Sequence, residues 1–298
     1  MNLKALSPHT KGILFIVLGT TLWGASGVLS QHLFTDKNVT AQWLVTARLI
    51  MSGLILLGAD AYTHKGDIFS IWKTSDRLPL IIFGIFGMVG VQYTYFMAIV
   101  YSNAATSTIL QYLMPVVIVL YIVVSTHRLP QYFELISIGL AMIGTFLLVT
   151  KGNFDTLALS PIALLWGLSS ACFSAFYTLQ PRKIIKKWRS TLIIGWGMLI
   201  GGIATSFMQP IWQFTATADL NTLLTIAGVI VFGTAIAFCS YLESTKYLSP
   251  TQISVFASLE PFSSIILSIV FLQISFGTFE IFGAVIIVVA VTMLSLKK

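Results

Sequence analysis

Charge is what this sequence has least of. Only 9% of its 298 residues are Asp, Glu, Lys or Arg, and its mean hydropathy is +0.90. A water-soluble domain usually carries about 25% charged residues. With 56% hydrophobic residues the chain cannot clothe a soluble globule in polar surface, so that class is excluded. Cysteine is nearly absent as well. Cys172 and Cys239 both fall inside apolar segments with no CxxC or Cys/His spacing, which supports neither a disulfide framework nor a metal site and reads both as small packing residues. Catalytic patterns are missing too: there is no HExxH, no GxSxG and no histidine cluster, since His9, His32, His64 and His127 lie near helix ends or in loops. An intramembrane enzyme and a channel remain the alternative classes, the channel without a selectivity ring or repeated carbonyl-rich loop. No cofactor or metal is called for. The net charge of +7 does not signal nucleic acid, because no polar surface interleaves basic residues with aromatics.

What the chain does have is long apolar runs. A transmembrane helix takes roughly 20 mainly apolar residues. Reading the runs against turn and charge signals gives ten candidate helices: 12–33, 42–62, 79–100, 104–126, 131–150, 160–181, 191–208, 222–246, 250–272 and 278–296. The first run is longer than the roughly 7–15 residues of a signal-peptide core, so it counts as helix 1. Short connections, such as Tyr101 to Asn103 and Gln273 to Gly277, set neighbouring helices side by side and antiparallel. Basic residues are retained on the cytoplasmic side. With the N-terminus inside, the outer loops hold only Lys37 and Lys151, Arg48 lies within an apolar run, and every other Lys and Arg is cytoplasmic. Both termini of this integral cell-membrane protein are expected in the cytoplasm.

Sliding the chain on itself at one constant offset superposes Phe86-Gly87 on Phe232-Gly233, Tyr95 on Tyr241, Tyr101 on Tyr247, Leu113 on Leu259, Pro115 on Pro261 and Glu134 on Glu280. Two halves follow, residues 1–150 and 151–298. Each holds five helices, and an odd number makes the second half cross the membrane in the opposite sense. The expected fold is therefore an all-α membrane protein of ten transmembrane helices in two inverted five-helix repeats.

Several short motifs fall in a telling order: Leu22-Trp23-Gly24, Ala47-Arg48-Leu49, Ser102-Asn103-Ala104-Ala105 leading to Pro115, then Leu248-Ser249-Pro250-Thr251 leading to Leu259-Glu260-Pro261. Together they resemble the EamA family of the drug/metabolite transporter superfamily, across nearly the whole chain. The resemblance implies a ten-helix inverted-repeat carrier with a central cavity lined by helices 1 to 4 and 6 to 9. It also implies a cargo of amino acids, other metabolites or drugs, often moved outward and often against protons. Two positions depart from internal symmetry: helix 7 has no arginine to match Arg48, and Cys172 stands roughly where a second tryptophan would match Trp23.

Glu260 is the leading candidate for chemistry. A central carboxylate costs a few kcal/mol in lipid and so faces a cavity or a partner. Its repeat mate is Met114, so the acid is not needed to build such a helix. It either binds a proton, or a cationic group of the solute, in alternation, or stays as a buried protonated carboxyl. Arg48 either holds a solute carboxylate or pairs with Glu260 in the empty carrier; otherwise it snorkels outward or ties helices together. Trp23, Gln92, Tyr95, Gln111, Tyr112, Tyr177 and Tyr241 are candidates to complete a pocket, with packing or interface anchoring as the competing role. Pro115 and Pro261 are candidate hinges or static kinks. Gly84, Gly87 and Gly90 on helix 3, with Gly197 and Gly201 on helix 7, are read as packing sites. Glu134 and Glu280 are read as helix caps, and Glu243 as a local partner of Lys246 or a gate. The expected partners are a small-molecule solute, the bilayer and protons, with the chain acting as a monomer or homodimer. The expected function is a secondary carrier exporting amino acids or similar small metabolites or drugs by alternating access.

Overall fold

Helix starts along this chain follow from capping chemistry. Ser7, Asn103, Ser160 and Asp219 each accept the backbone N–H three residues on, satisfying a donor that the first turn leaves open. Pro8 and Pro161 follow two of these caps in the first turn, where a missing N–H costs nothing. Glu134 Oε2 accepts from the N–H of Gln131 at 2.8 Å, and Glu280 Oε2 accepts from that of Gly277 at 2.8 Å. The two glutamates thus cap their helices in the same way, as expected of them from the sequence.

The computed structural model describes residues 7–64, 67–153, 158–248 and 250–296, and among them no strand occurs. The helical segments are α1 (Pro8–Thr35), α2 (Ala41–His64), α3 (Arg77–Tyr101), α4 (Ala104–Ser125), α5 (Tyr132–Thr150), α6 (Pro161–Ile185), α7 (Ser190–Ser206), α8 (Leu220–Ser244), α9 (250–272) and α10 (Thr278–Leu296). Seven of them, α1 to α6 and α8, are long and apolar enough to cross a bilayer. The remaining three contribute the shorter apolar helices Ser190–Ser206, Leu259–Leu272 and Thr278–Leu294. Large apolar side chains such as Leu54, Phe86, Val124, Met142, Phe232 and Val289 point outward. A surface of that kind is suited to lipid and not to water. The protein is an integral membrane protein.

The principal helix pairs are α2 with α7, α5 with α10, α3 with α6, α1 with α8, α1 with α9, α4 with α6, α2 with α8, α3 with α7 and α4 with α9. Exchanging each helix with the one five places along leaves this set unchanged. Local irregularities fall at matched places too. Phe83–Val89 in α3 and Gly228–Ile236 in α8 are wound as wide π-helical turns. Both α4 and α9 are interrupted, at Tyr112-Leu113 and at Ser258. Each break falls just ahead of a proline, so Pro115 and Pro261 stand in the first turn of a new helical piece and do not kink a continuous one. The missing proline N–H explains this placement, because it would have been an unpaired donor of the first turn in any case.

Close crossings are made where side chains vanish. A Cβ on Gly144 would lie 2.7 Å from the carbonyl oxygen of Gly283, and one on Gly283 would lie 2.6 Å from that of Gly144. Gly84 and Gly201 hold α3 against α7 in the same manner, and Gly90 receives the ring of Phe173 from α6. Gly197 packs on Phe83, whereas Gly87 makes room for Phe83 of its own helix. Cys172 and Cys239, expected to be packing residues, are instead exposed on the described surface, and their thiols are free. In lipid an apolar position is stable facing either way, so an apolar neighbourhood in sequence does not imply burial.

Both ends of α2 are tied to the connections flanking α7. At one end, buried Asp60 takes Nε of Arg189 at 3.0 Å, its Nη2 at 2.6 Å and the hydroxyl of Thr191. At the other, Thr40 donates to Gln209 at 2.6 Å, Trp43 Nε1 donates to the carbonyl of Ile211 at 2.9 Å, and Lys37 meets Asp219 at 2.8 Å. Lys187 and Trp188 also hold Asp76, both at 3.0 Å, which keeps that carboxyl below the usual carboxylate range.

Candidate functional site

Helix α1 is the spine of the site, and its glycines make it so. Built onto Gly19, a Cβ would sit 3.0 Å from the carbonyl of Ala237 and 3.2 Å from the amide of Tyr241, on α8. One on Gly24 would sit 2.9 Å from the carbonyl of Glu260, on α9. One on Gly27 would clash with the hydroxyl of Tyr95, on α3. Three helices thus close on α1 at three glycines spread over an arc of about 140° and bring Tyr241, Glu260 and Tyr95 around it. Trp23 projects from the same arc, its ring centroid 5.1 Å from Tyr241 and 5.1 Å from Phe238.

Glu260 lies in the first turn of the Leu259–Leu272 piece, where the partial positive charge of a helix N-terminus favours an anion. Its side chain is surrounded by protein yet only half-buried, so it lines an internal crevice. It has no hydrogen-bond or ion-pair partner among the described residues. Arg48, Tyr95, Tyr112 and Tyr241 all lie within electrostatic range of it.

Arg48 does not snorkel, being only 5% exposed. Its Nε donates to Thr234 Oγ1 at 2.6 Å, its Nη2 to the carbonyl of Gly233 at 3.2 Å, and its guanidinium lies over the ring of Phe96 at 5.3 Å. One turn on, Ser52 donates to the carbonyl of Ile230 at 3.2 Å. Both acceptor carbonyls belong to the π-helical stretch of α8, whose wide turns leave such groups available to outside donors. Arg48 therefore ties α2 to α8 and makes no ion pair with Glu260.

The other expected pocket residues divide. Tyr95 shares a hydrogen bond of 2.9 Å with Thr108, and Thr108 reaches Ser264 at 3.4 Å. Tyr112, at the interruption of α4, is beside Ser258, at the interruption of α9, and beside Thr292. Tyr177 stacks on Phe83 at 5.4 Å and lies within range of Tyr241. Gln92 is buried, at 8% exposure, and its amide makes no hydrogen bond among the described residues. Gln111 is bonded to Ser170 at 2.7 Å, which joins α4 to α6. The structure thus gathers Trp23, Tyr95, Tyr112, Tyr241 and Glu260 with Arg48 behind them, sets Tyr177 at the edge, and uses Gln111 between helices. Glu243 is bonded to Lys246 at 2.6 Å, the expected local pair. No three metal-ligating side chains gather among the described residues. Thr234, Phe96, Thr108, Gly19 and Gly27 escaped the sequence reading, and Gly24 entered it only as part of a motif.

Residues 10–150 and again 161–296 match the EamA-like transporter family. The chain belongs to that family. This places it in the drug/metabolite transporter superfamily and makes it a membrane transporter. Among relatives of this EamA-like protein is YicL of Salmonella typhimurium LT2, named an uncharacterized inner membrane transporter. It is 36% identical over 292 residues, covering 97% of this chain and 96% of that one. The uncharacterized transporter YxxF of Bacillus subtilis is 23% identical, covering 96% and 90%. A solved structure described only as the crystal structure of a protein shares the fold, with a TM-score of 0.64 at 14% identity and 96% coverage of both chains.

Proposed function

We propose that this transporter is a secondary-active exporter of small amphiphilic solutes, amino acids or similar metabolites and drugs, working by alternating access with proton exchange at Glu260. Its ten helices cross the bilayer as two inverted five-helix repeats, residues 1–150 and 151–298, with both termini in the cytoplasm. The pairing of helices, unchanged on exchanging each with the one five places along, supports the repeat. The retention of basic residues on one side supports the orientation. Pro115 and Pro261, each opening a new helical piece beside the site, are the proposed hinges.

The observation that carries the reading is Glu260: an acid inside an apolar bundle, at a helix interruption, facing a crevice with no hydrogen-bond or ion-pair partner among the described residues. A carboxylate so placed is stable when protonated or when a cation sits beside it, and alternation between those states is the elementary step of an exchanger. Trp23, Tyr95, Tyr112 and Tyr241 form the wall, with Gln92 and Tyr177 next to it. An uptake screen in proteoliposomes over amino acids, amines and drugs, with and without an imposed pH gradient, tests the proposal. Uptake accelerated by the gradient and lost in Glu260→Gln is expected. Failure to transport any solute, alongside a catalytic activity, would overturn it.

A further inference from the structure

Apart from Glu260, every acidic residue among the described ones holds a basic partner. Asp36 meets His32, Asp60 meets Arg189, Asp67 meets Lys73 and Asp76 meets Lys187. Glu134 meets Arg128, Asp219 meets Lys37, Glu243 meets Lys246 and Glu280 meets Lys151. The one exception is the acid that faces the crevice. Among the described residues the cation near it, Arg48, has two of its nitrogens bonded to α8 and its flat face on Phe96. The charge that the site offers to a solute is therefore negative and single, and rings line it: Trp23 and Tyr241 at 5.1 Å from each other, with Tyr95 and Tyr112 nearby. Aromatic faces around a carboxylate recognise an organic cation, because the ring quadrupole and the acid both attract positive charge and the rings tolerate a bulky apolar substituent.

We infer that the solute is an organic monocation, an amine or quaternary ammonium bearing an apolar group, and that one such cation exchanges for one proton without net movement of charge. The inference rests on the exchanger reading and narrows its solute. Proton and cation compete for one carboxylate. When the cation arrives, the proton leaves Glu260 for the water on the side to which the crevice is open, and when the cation departs a proton replaces it. Arg48 keeps its charge throughout, so the site carries the same total charge in both loaded states. Both legs of the cycle therefore cross the membrane field equally, and a pH gradient drives transport whereas a membrane potential does not.

Four probes sharing a phenyl ring separate the possibilities: phenethylamine, its N,N,N-trimethyl quaternary derivative, phenylalanine and phenylacetate. With the full chain in proteoliposomes, the quaternary cation is expected to be taken up under a pH gradient, at a rate changed less than about twofold when a potassium diffusion potential is imposed. Phenylalanine and phenylacetate are expected to stay at background. Transport of phenylalanine or phenylacetate with the quaternary cation at background would place the solute carboxylate on Arg48 and overturn the inference. A rate that follows the potential would overturn the one-for-one exchange. If none of the four moves, the inference fails, while the exchanger reading is judged by the broader screen. Binding supplies a second measurement that needs no turnover. Titration of the quaternary cation, followed by tryptophan fluorescence, should show affinity falling by about tenfold for each pH unit below the midpoint of the site. Glu260→Gln should bind at least about 100-fold more weakly and lose the pH dependence, whereas Glu260→Asp should keep it. Binding that ignores pH in the native chain would overturn the inference.

Discussion

Met114 and Glu260 occupy the same place in the two stretches that match the family, each at the start of a helical piece just after an interruption. The thioether of Met114 accepts a contact from Thr178 at 3.2 Å and so serves packing between α4 and α6. The carboxylate of Glu260 makes no hydrogen bond or ion pair among the described residues. Arg48 and Ile194 form a second such contrast. Ile194 is 5% exposed within the contact of α7, whereas Arg48, at the same exposure, threads its charge onto α8. On the proposed repeat, matched backbone positions carry different side chains, an arginine against an isoleucine and a glutamate against a methionine.

Moving the acid is the strongest way to break that comparison. Glu260→Met should lower transport by at least about 100-fold, and adding Met114→Glu to it should fail to restore the rate. Only α9 brings the backbone of Glu260 against Gly24 of α1, with its side chain within range of Tyr95, Tyr112 and Tyr241. Recovery in the double variant, measured as pH-driven uptake in proteoliposomes, would mean that the halves are interchangeable. Next comes the crossing itself. Gly24→Leu sets a branched side chain where a Cβ alone lies 2.9 Å from the backbone of α9. Overpacking of this kind costs about 1–3 kcal/mol, so a lower Tm by thermal-shift assay and a large loss of transport are expected.

The tie between α2 and α8 offers a milder test. Thr234→Val removes the acceptor of Arg48 Nε, at about 1–2 kcal/mol on the scale of interhelical hydrogen bonds in membranes. Stability should fall while the affinity for solute holds, as the proposed bracing role of Arg48 requires. A large affinity change measured by tryptophan quenching would return Arg48 to the site. The smallest effect lies outside the membrane. Asp76 is held below its ordinary pKa by bonds from Trp188 and Lys187. Its contribution to stability is present above the unfolded carboxylate pKa and is lost as pH falls through the lower folded value. Asp76→Asn should therefore reduce Tm slightly near neutral pH and not at all in strong acid, as scanning fluorimetry across pH would show.

Much of the architecture was legible because its signals are local. Glu134 and Glu280 cap helices through residues three positions away, and Glu243 finds Lys246 within one turn. The constant offset between halves anticipated the matched breaks in α4 and α9, although each break falls ahead of its proline and not at it. The site was legible only as a set of suspects. Trp23, Tyr95, Tyr112, Tyr241 and Glu260 do meet, but the glycines that let them meet, Gly19, Gly24 and Gly27, look in sequence like ordinary membrane-helix glycines. The partners of Arg48 were out of reach because nothing near it in the chain points to α8. Cys172 and Cys239 misled for a physical reason: hydrophobicity distinguishes inside from outside in water, and that contrast vanishes in lipid.

The bond between Arg48 and Thr234 spans 186 residues, and this has a consequence for biogenesis. At about 5–20 residues per second, the ribosome delivers α8 roughly 10–40 s after α2 has emerged. During that interval a permanently charged guanidinium enters the bilayer with its eventual acceptors not yet made. The long side chain is therefore expected to reach for the water boundary until α8 docks. Truncation after α5 should leave a chain that is inserted but unfinished, marked for quality control by one unanchored arginine.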